Sequence, residues 1–304
     1  MPDRQRLLAD LRSLLEQDWR NIEAGFYAVP NDGMGNPLEE MRRALDFFAD
    51  LSAVEQRRHG GRNERVLTGV PGRYPPYYLQ KFHFQTDGYL SDRSAERYDH
   101  QVEVLFGGGA AAMRRQALVP LKRALAENRT GARGGARLLD LACGTGRFLR
   151  EVKANYPRLH VTGLDLSPNY LSVARRELAA WSRTRFVEGM AEAMPFADME
   201  FDVVTCIYLF HELPPQIRRA AVADIRRVLR PGGTLIFVDS LQTGDEPDYD
   251  ATLELFPVAF HEPYYESYLR EDLDRLWSPG FTRSERIPAY FSKVLSYRRD
   301  RDTS

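Results

Sequence analysis

The chain has 304 residues, with 42 lysines and arginines against 43 aspartates and glutamates and a formal net charge of -1. Such a balance argues against the basic surface expected of a nucleic-acid binder. Its two cysteines are too few for a disulfide framework or a cysteine-rich metal site, and no apolar run approaches the length of a membrane span. The charged first residues do not have the pattern of a signal peptide, so we expect a cytoplasmic protein with room for one domain and a smaller appended region.

Two amphipathic helices are predicted in the N-terminal part. Apolar residues recur on one helical face in residues 4–27 and again in residues 38–54. A turn-rich stretch, residues 30–37, separates the two patterns. Two such helices bury little surface alone, so we expect them to pack on the rest of the chain or on a partner chain.

Residues 73–106 are unusually rich in aromatic side chains and also contain His83 and His100. The aromatic residues concerned are Tyr74, Tyr77, Tyr78, Phe82, Phe84, Tyr89 and Tyr98. Ligand pockets are mostly apolar and aromatic, so one interpretation is that this segment lines a pocket. The alternative, a core on which the N-terminal helices dock, is equally open. A helix over residues 113–127 and a glycine-containing linker over residues 130–136 follow.

The stretch RLLDLACGTGR, residues 137–147, is the central feature of the sequence. Its apolar run predicts a buried parallel strand, and Cys143-Gly144-Thr145-Gly146 predicts a tight turn into a helix. We expect glycines there because a side chain would keep a ligand away from the backbone. Leu149 stands where a dinucleotide fingerprint has its third glycine, and the sequence contains no phosphate-binding P-loop motif.

The run DLACGTG, Asp140 to Gly146, resembles the first motif of class I S-adenosylmethionine-dependent methyltransferases, in the type 11 branch that includes quinone-biosynthesis enzymes. Four later stretches agree with that family in order and spacing, namely residues 161–167, 186–196, 201–213 and 228–238. The resemblance implies an α/β fold, a Rossmann-like seven-stranded sheet with helices on both faces. We expect residues 1–112 to form a helical, aromatic region that caps the active site, and residues 113–304 to form the S-adenosylmethionine-binding domain.

The same resemblance implies that S-adenosylmethionine is the methyl donor and assigns its contacts. The residues expected to touch it are Asp140, Ala142, Cys143, Gly144, Gly146, Asp165, Leu166, Met190, Ala191 and Tyr98. Asp165 closes the second predicted strand, where a carboxylate can accept hydrogen bonds from both ribose hydroxyls. Asp140 is expected to face the amino group of the methionine part, since a buried acid needs a partner.

Met190 departs from the family pattern, and Tyr98 has an alternative interpretation. The family commonly has an acid that holds the adenine amino group where this chain has Met190, so we expect backbone groups of Met190 and Ala191 to take its place. Tyr98-Asp99 resembles a pair that closes over the donor in related enzymes, and a surface helix position is the alternative for Tyr98.

Methyl transfer from a sulfonium needs alignment above all, and a base only where the acceptor must lose a proton. His211, in the loop after the fourth predicted strand, is the first candidate base, with a structural hydrogen bond as the alternative. His83 and His261 lie in aromatic surroundings and are weaker candidates. Asp239 and Asp245 do not complete a set of metal ligands, so no metal is assigned.

The C-terminal part supplies the remaining predicted elements. A helix over residues 217–229 is followed by Pro231-Gly232-Gly233, which is expected to end it, and by a strand over residues 234–239. A last helix is predicted over residues 269–277, and an antiparallel hairpin over residues 281–287 and 291–297.

We therefore predict a methyltransferase acting on a small, apolar or aromatic acceptor. The motif that base-methylating enzymes of nucleic acids carry after the fourth strand is absent, so no nucleic-acid partner is expected. A protein acceptor is one alternative, and a non-catalytic scaffold or regulator that binds S-adenosylmethionine is another. The sequence leaves the oligomeric state open, with a homodimer as one possibility.

Overall fold

A seven-stranded sheet forms the centre of the computed structural model, which describes residues 2–30, 72–84, 87–127 and 135–301. The strands are β1 (Arg137–Leu141), β2 (His160–Asp165), β3 (Thr184–Glu188), β4 (Phe201–Ile207), β5 (Leu229–Ser240), β6 (Phe281–Ala289) and β7 (Ser292–Arg299). Their order is β3-β2-β1-β4-β5-β7-β6, and β7 runs antiparallel to both of its neighbours. The predicted Rossmann-like sheet with a closing hairpin is confirmed.

The described helices connect these strands or precede them. They are α1 (Arg4–Glu23), α2 (Asp92–Leu105), α3 (Ala110–Arg115), α4 (Leu118–Glu127), α5 (Arg147–Asn155), α6 (Pro168–Glu177), α7 (Pro215–Val228), α8 (Asp250–Phe260), α9 (Tyr265–Leu269) and α10 (Leu273–Trp277). Short 3₁₀ turns cover Phe82–Phe84, Phe210–Glu212 and Pro247–Tyr249. No helix in this described part of the chain combines the length and the apolar character needed to cross a bilayer.

Both faces of the sheet are buried, because successive strand residues point to opposite sides. Leu139 and Leu141 of β1 join a core cluster that contains Ile225 of α7. Leu138, which precedes Leu139 and points to the opposite side, joins a second cluster that contains Val152 of α5. Helices therefore cover both faces, as predicted.

Helix α1 packs on the chain itself, which is one of the two outcomes expected for the N-terminal helices. Asp18 of α1 is 6% exposed, and its carboxylate accepts a hydrogen bond from Arg115 Nη2 at 2.5 Å. The Tyr27 hydroxyl donates to the same carboxylate at 2.7 Å, and Leu14 packs against Met113. The second predicted helix, residues 38–54, lies outside the described residues. The predicted division between residues 112 and 113 stays a prediction, and α3 runs across that position.

Two helices predicted as continuous are each divided in the structure. Residues 113–127 form α3 and α4 with a break between them, because Pro120 has no N–H to donate to the Gln116 carbonyl and its ring would clash there. In α4, Pro120 instead occupies the first turn, where a missing N–H costs nothing. Residues 269–277 divide because Asp272 caps a new helix, accepting a hydrogen bond from the Arg275 amide at 3.0 Å.

Strand β5 begins earlier than predicted. Helix α7 ends at Val228, and the chain pairs with β4 already at Leu229, before the expected stop at Pro231 and the two glycines. A register shift between Phe201 and Val203 of β4 accommodates these residues. The start of the strand shifts, but its core residues and its place in the sheet are as predicted.

Candidate active site

A cavity of about 150 Å³ lies at the carboxyl ends of β1, β2 and β4. The strand order reverses between β1 and β4, and in open α/β sheets that point is where ligands bind. Residues that follow the strands form one wall, and seven residues between Tyr77 and Val102 form another. The cavity therefore joins the predicted glycine turn to the aromatic segment.

The two glycines of the turn after β1 have different roles. Gly144 leaves the backbone accessible, as the sequence predicts, and Gly146 allows close packing. Gly144 lines the cavity with φ at +55°, and a Cβ there would meet nothing closer than Tyr170 Cδ1 at 4.0 Å. A Cβ on Gly146, in contrast, would lie 2.8 Å from Leu178 Cδ1 and 3.1 Å from Ala174 Cβ. Gly146 thus lets α5 and α6 approach each other, a role that the sequence pattern did not reveal.

Asp165 ends β2 directly beside the turn. Its Oδ2 accepts a hydrogen bond from the Gly144 amide, and its Oδ1 accepts one from the Ser167 amide, both at 2.8 Å. Burial raises the pKa of Asp165 to about 6, although these backbone donors oppose the rise. Each carboxylate oxygen has a second lone pair, so Asp165 can still accept hydrogen bonds from a ligand in the cavity.

Asp140, the penultimate residue of β1, is 2% exposed and borders the same cavity. Thr205, its register partner on β4, donates a hydroxyl hydrogen bond to Asp140 Oδ1 at 2.6 Å. Burial raises the pKa of Asp140 to about 7. A cationic ligand group beside Asp140 would favour the ionised carboxylate.

The other predicted contacts, apart from Gly146, also line the cavity. These residues are Ala142, Cys143, Leu166, Met190, Ala191 and Tyr98. Burial raises the pKa of the Cys143 thiol well above its ordinary value, so Cys143 is a packed, unreactive side chain.

Tyr98 and Asp99 of α2 both face the cavity. The Thr145 hydroxyl, in the glycine turn, donates to Asp99 Oδ1 at 2.9 Å. The Tyr98 ring packs edge-on against Tyr170 with centroids 5.4 Å apart. The Thr145–Asp99 hydrogen bond ties α2 to the turn, and the ring contact ties it to α6. Tyr98 therefore lies at the cavity, and its role as a cover over the donor stays a prediction.

Five members of the aromatic segment line the cavity, namely Tyr98 and, in addition, Tyr77, Tyr78, Phe82 and Tyr89. Phe82 and Tyr89 are buried and stacked with ring centroids 5.6 Å apart. These residues line the cavity and form a small core with Tyr170 and Val173 of α6. Helix α1, which is described throughout, contributes no residue to this core, so the structure does not show the docking of the N-terminal helix on it.

The loop after β4 places Glu212, and not His211, at the cavity wall. His211 is turned inward: its Nδ1 lies 2.6 Å from Asp239 Oδ1, and its ring packs against Tyr265 at a centroid distance of 5.7 Å. Burial lowers the pKa of His211, but the Asp239 carboxylate outweighs burial, so the pKa is raised overall. Glu212 accepts a hydrogen bond from the Tyr89 hydroxyl at 2.5 Å.

Sequence reasoning missed Glu212 because histidine is the stronger signal for acid–base chemistry. The available clue is local: residues of a 3₁₀ turn point in different directions, so the neighbour of an inward-facing histidine faces elsewhere. Burial raises the pKa of Glu212, as expected for a carboxyl group removed from water.

The two aspartates considered for a metal have protein partners instead. Asp239 accepts hydrogen bonds from the Phe210 amide at 2.9 Å and from the Ser240 amide at 2.7 Å. Asp245 forms ion pairs with Lys293 at 2.5 Å and Arg286 at 2.7 Å. Both carboxylates thus hold the protein structure together.

Comparison with known proteins gives a consistent family. Residues 138–233 match the model of a family described as a methyltransferase domain. A demethylmenaquinone methyltransferase of Staphylococcus aureus is 35% identical over 113 residues, which cover 37% of this chain and 46% of the relative. The chain thus spans about half the length of the curated relatives it matches.

Two of the similar solved structures are also named as methyltransferases. A SAM-dependent methyltransferase from Aquifex aeolicus has a TM-score of 0.48 and 14% identity, covering 69% of this chain and 98% of its own. The N-methyltransferase NodS from Bradyrhizobium japonicum, solved with S-adenosyl-L-homocysteine, has a TM-score of 0.45 and 19% identity, covering 61% and 86%.

The strand order, the glycine turn and the family match define a class I methyltransferase domain. The family match covers residues 138–233, about a third of the chain, and together with the named relative it supports S-adenosylmethionine as the methyl donor.

Proposed function

We propose that this protein transfers the methyl group of S-adenosylmethionine to a small, apolar or aromatic molecule. The observation that carries the proposal is that one cavity is lined both by the turn after β1 and by the aromatic segment. A donor resting on Gly144 would thus face an acceptor held among the aromatic side chains.

The donor end of the cavity has the charges that a sulfonium amino acid requires. Asp140 and Asp165 place two carboxyl groups beside the turn, while the donor carries a positive sulfonium and a positive amino group. We assign the ribose hydroxyls to Asp165, the amino group to Asp140 and the adenine to the backbone of Met190 and Ala191. Tyr98 would cover the donor from α2.

The acceptor end is aromatic. Tyr77, Tyr78, Phe82 and Tyr89 line this part of the cavity, and a lining of this kind favours an apolar or aromatic acceptor. The Staphylococcus aureus relative is named for a quinone precursor, an apolar aromatic compound, and this agrees with such a lining.

Transfer proceeds by an in-line displacement in this proposal. A lone pair of the acceptor attacks the methyl carbon, the carbon–sulfur bond breaks, and its electron pair neutralises the sulfonium to give S-adenosylhomocysteine. Alignment of this kind can lower the barrier by roughly 7 to 11 kcal/mol in well-oriented systems. The cavity walls described above would supply that alignment.

The test is transfer of a labelled methyl group into a cell extract that has been separated into small-molecule and protein fractions. We expect label in the small-molecule fraction, with loss of at least 90% of it (about a tenfold drop) for Asp165→Asn. Label confined to the protein fraction would instead indicate a protein methyltransferase. A protein that binds the donor but labels neither fraction would be a scaffold or regulator.

A further inference from the structure

Three potential metal-ligand side chains that are far apart in the sequence meet next to the aromatic wall of the cavity. His83 Nε2 lies 3.2 Å from Glu262 Oε1 and 4.0 Å from Glu212 Oε1. The three ligand atoms all lie within 4.8 Å of one another. We propose that His83, Glu212 and Glu262 bind a divalent transition-metal ion of the Zn²⁺ or Mn²⁺ type.

Glu262 is the strongest single observation in favour of an ion. Its side chain is 0% exposed, and neither carboxylate oxygen has a hydrogen-bond partner. A buried carboxylate without partners is among the most unfavourable groups in a protein interior. The buried carboxylates of Asp18 and Asp245, in contrast, pair with Arg115 and Lys293. A bound cation would explain why Glu262 is different.

The backbone is left-handed at His83 and at His261, the residue next to Glu262. His83 has φ 55° and ψ 23°, within the 3₁₀ turn Phe82–Phe84. His261, which ends α8 and immediately precedes Glu262, has φ 51° and ψ 63°. Left-handed conformations are uncommon for residues other than glycine and persist where the surrounding structure requires them. Strain on both sides of the cluster is consistent with a functional centre.

The distances are close to those of a coordinated ion. Bonds of about 2.0–2.1 Å in tetrahedral geometry place ligand atoms roughly 3.3 Å apart. The His83–Glu262 distance of 3.2 Å already has this value, and the His83–Glu212 distance of 4.0 Å requires only a small contraction. Side-chain rotation alone can provide such a shift.

The donor set selects the class of ion. One imidazole nitrogen and two carboxylate oxygens suit borderline divalent ions such as Zn²⁺ or Mn²⁺ better than Mg²⁺ or Ca²⁺, which prefer oxygen alone. The Tyr89 hydroxyl, which donates to Glu212 Oε1 at 2.5 Å, would orient that ligand. Three protein ligands leave coordination positions open.

Glu212 borders the cavity, so an open position would face an oxygen or nitrogen atom of the acceptor. This last step rests on the proposed function, whereas metal binding itself does not. Metal binding is therefore measured without donor or acceptor, so that its failure and the failure of methyl transfer can be told apart.

The experiment is a calorimetric titration of tag-free, chelator-stripped protein with Zn²⁺ and, separately, with Mn²⁺. We expect one ion per chain for at least one of the two metals. Glu262→Gln and His83→Asn should each weaken that binding by about 100-fold, and Tyr89→Phe by about 10-fold. Asn is chosen at position 83 because it tolerates the left-handed backbone. His160→Gln and Glu266→Gln, which lie outside the cluster, should bind like the unmodified protein.

Thermal unfolding of the metal-free proteins keeps the test independent of folding defects. Glu262→Gln removes a partnerless acid, so its Tm should equal or exceed that of the unmodified protein. The proposal is overturned if neither metal binds stoichiometrically to the unmodified protein. Equal affinity of the Glu262→Gln protein would overturn it as well. In either case Glu262 would be a buried protonated acid, in line with the burial that raises its pKa.

Discussion

At the scale of single residues, Asp140 links the electrostatics of the cavity to the identity of its ligand. Burial brings the pKa of Asp140 to about 7, so in the free protein it is about half protonated at pH 7. The amino group of the donor would stabilise the ionised carboxylate and lower this pKa. Ligand binding and proton release are therefore coupled.

We predict that binding of S-adenosylmethionine at pH 7 releases about half a proton from Asp140. The release should rise toward one proton at pH 5.5, where the free carboxyl group is almost fully protonated and the donor keeps it ionised, and should vanish above pH 8, where Asp140 is already ionised. Calorimetry in two buffers with different ionisation enthalpies measures the number of protons. Asp140→Asn, which cannot ionise, is the matched control. Proton uptake, or equal release by the control, would contradict the assignment.

The same protonation affects stability in a defined direction. The folded-state pKa of Asp140 lies above its ordinary value, so the folded protein binds more protons than the unfolded chain between these two values. The stabilising contribution is therefore present at low pH and is lost as the pH rises through about 7. A bound donor would offset this loss by pairing with the ionised carboxylate.

The sequence predicts site residues well where backbone geometry determines them. Gly144 and Asp165 were predicted because a turn after a parallel strand and the end of the next strand must meet at one edge of the sheet. Glu212 was missed because the direction of a side chain in a 3₁₀ turn depends on what packs around it. Here Asp239 holds His211 inward and leaves Glu212 at the cavity.

At the scale of elements, the loop after β4 is held by Asp239 at the end of β5. That carboxylate binds both the Phe210 amide and the His211 ring, so the loop is anchored to the sheet. The anchoring favours the structural interpretation of His211 over the catalytic one.

We predict that His211→Ala lowers the free energy of unfolding by about 1–3 kcal/mol, because it removes a hydrogen bond to the buried Asp239 carboxylate, which keeps only the Phe210 and Ser240 amides as donors. The methyl-transfer rate at saturating donor should change less than tenfold. Urea denaturation and single-turnover transfer provide the two measurements. A rate loss of about 10² to 10⁴ with unchanged stability would show instead that His211 is a base.

Strands were predicted more accurately than helix boundaries, for physical reasons. Buried parallel strands are continuous apolar runs, so β1, β2 and β4 are visible in the sequence. The breaks before α4 and α10 depend on single residues, Pro120 and Asp272, within patterns that otherwise continue. The periodicity of the apolar residues outweighed these local signals in the prediction.

At the scale of the whole molecule, the N-terminal helix α1 and helix α3 are joined through a buried ion pair. Asp18 on α1 receives hydrogen bonds from Arg115 and Tyr27, and all three groups are largely removed from water. No sequence pattern predicts this pairing, because it joins residues far apart in the chain whose individual neighbourhoods are ordinary helix. The position of the aromatic segment over the turn was open for the same reason.

We predict that Asp18→Ala destabilises the protein by about 1.5–3 kcal/mol, since it removes the hydrogen bonds that Arg115 and Tyr27 donate to a buried carboxylate and leaves Arg115 with the more distant Glu151, at 3.7 Å. Glu16→Ala, two residues earlier, removes only an exposed pair with Arg12 and should cost less than about 1 kcal/mol. Urea midpoints at unchanged m-value would report the difference. Equal midpoints for the two variants would mean that α1 does not depend on this pair.

The most direct test of the account is a calorimetric titration of S-adenosylmethionine into the protein, since every assignment in the proposed methyl transfer depends on donor binding at the turn. The account predicts a single site, at least about tenfold weaker binding for Asp165→Asn and unchanged binding for Glu188→Gln, the register partner of Asp165 that does not line the cavity. Thermal unfolding would verify that both variants are folded. Absence of binding to the unmodified protein, or equal affinity of a folded Asp165→Asn variant, would contradict it.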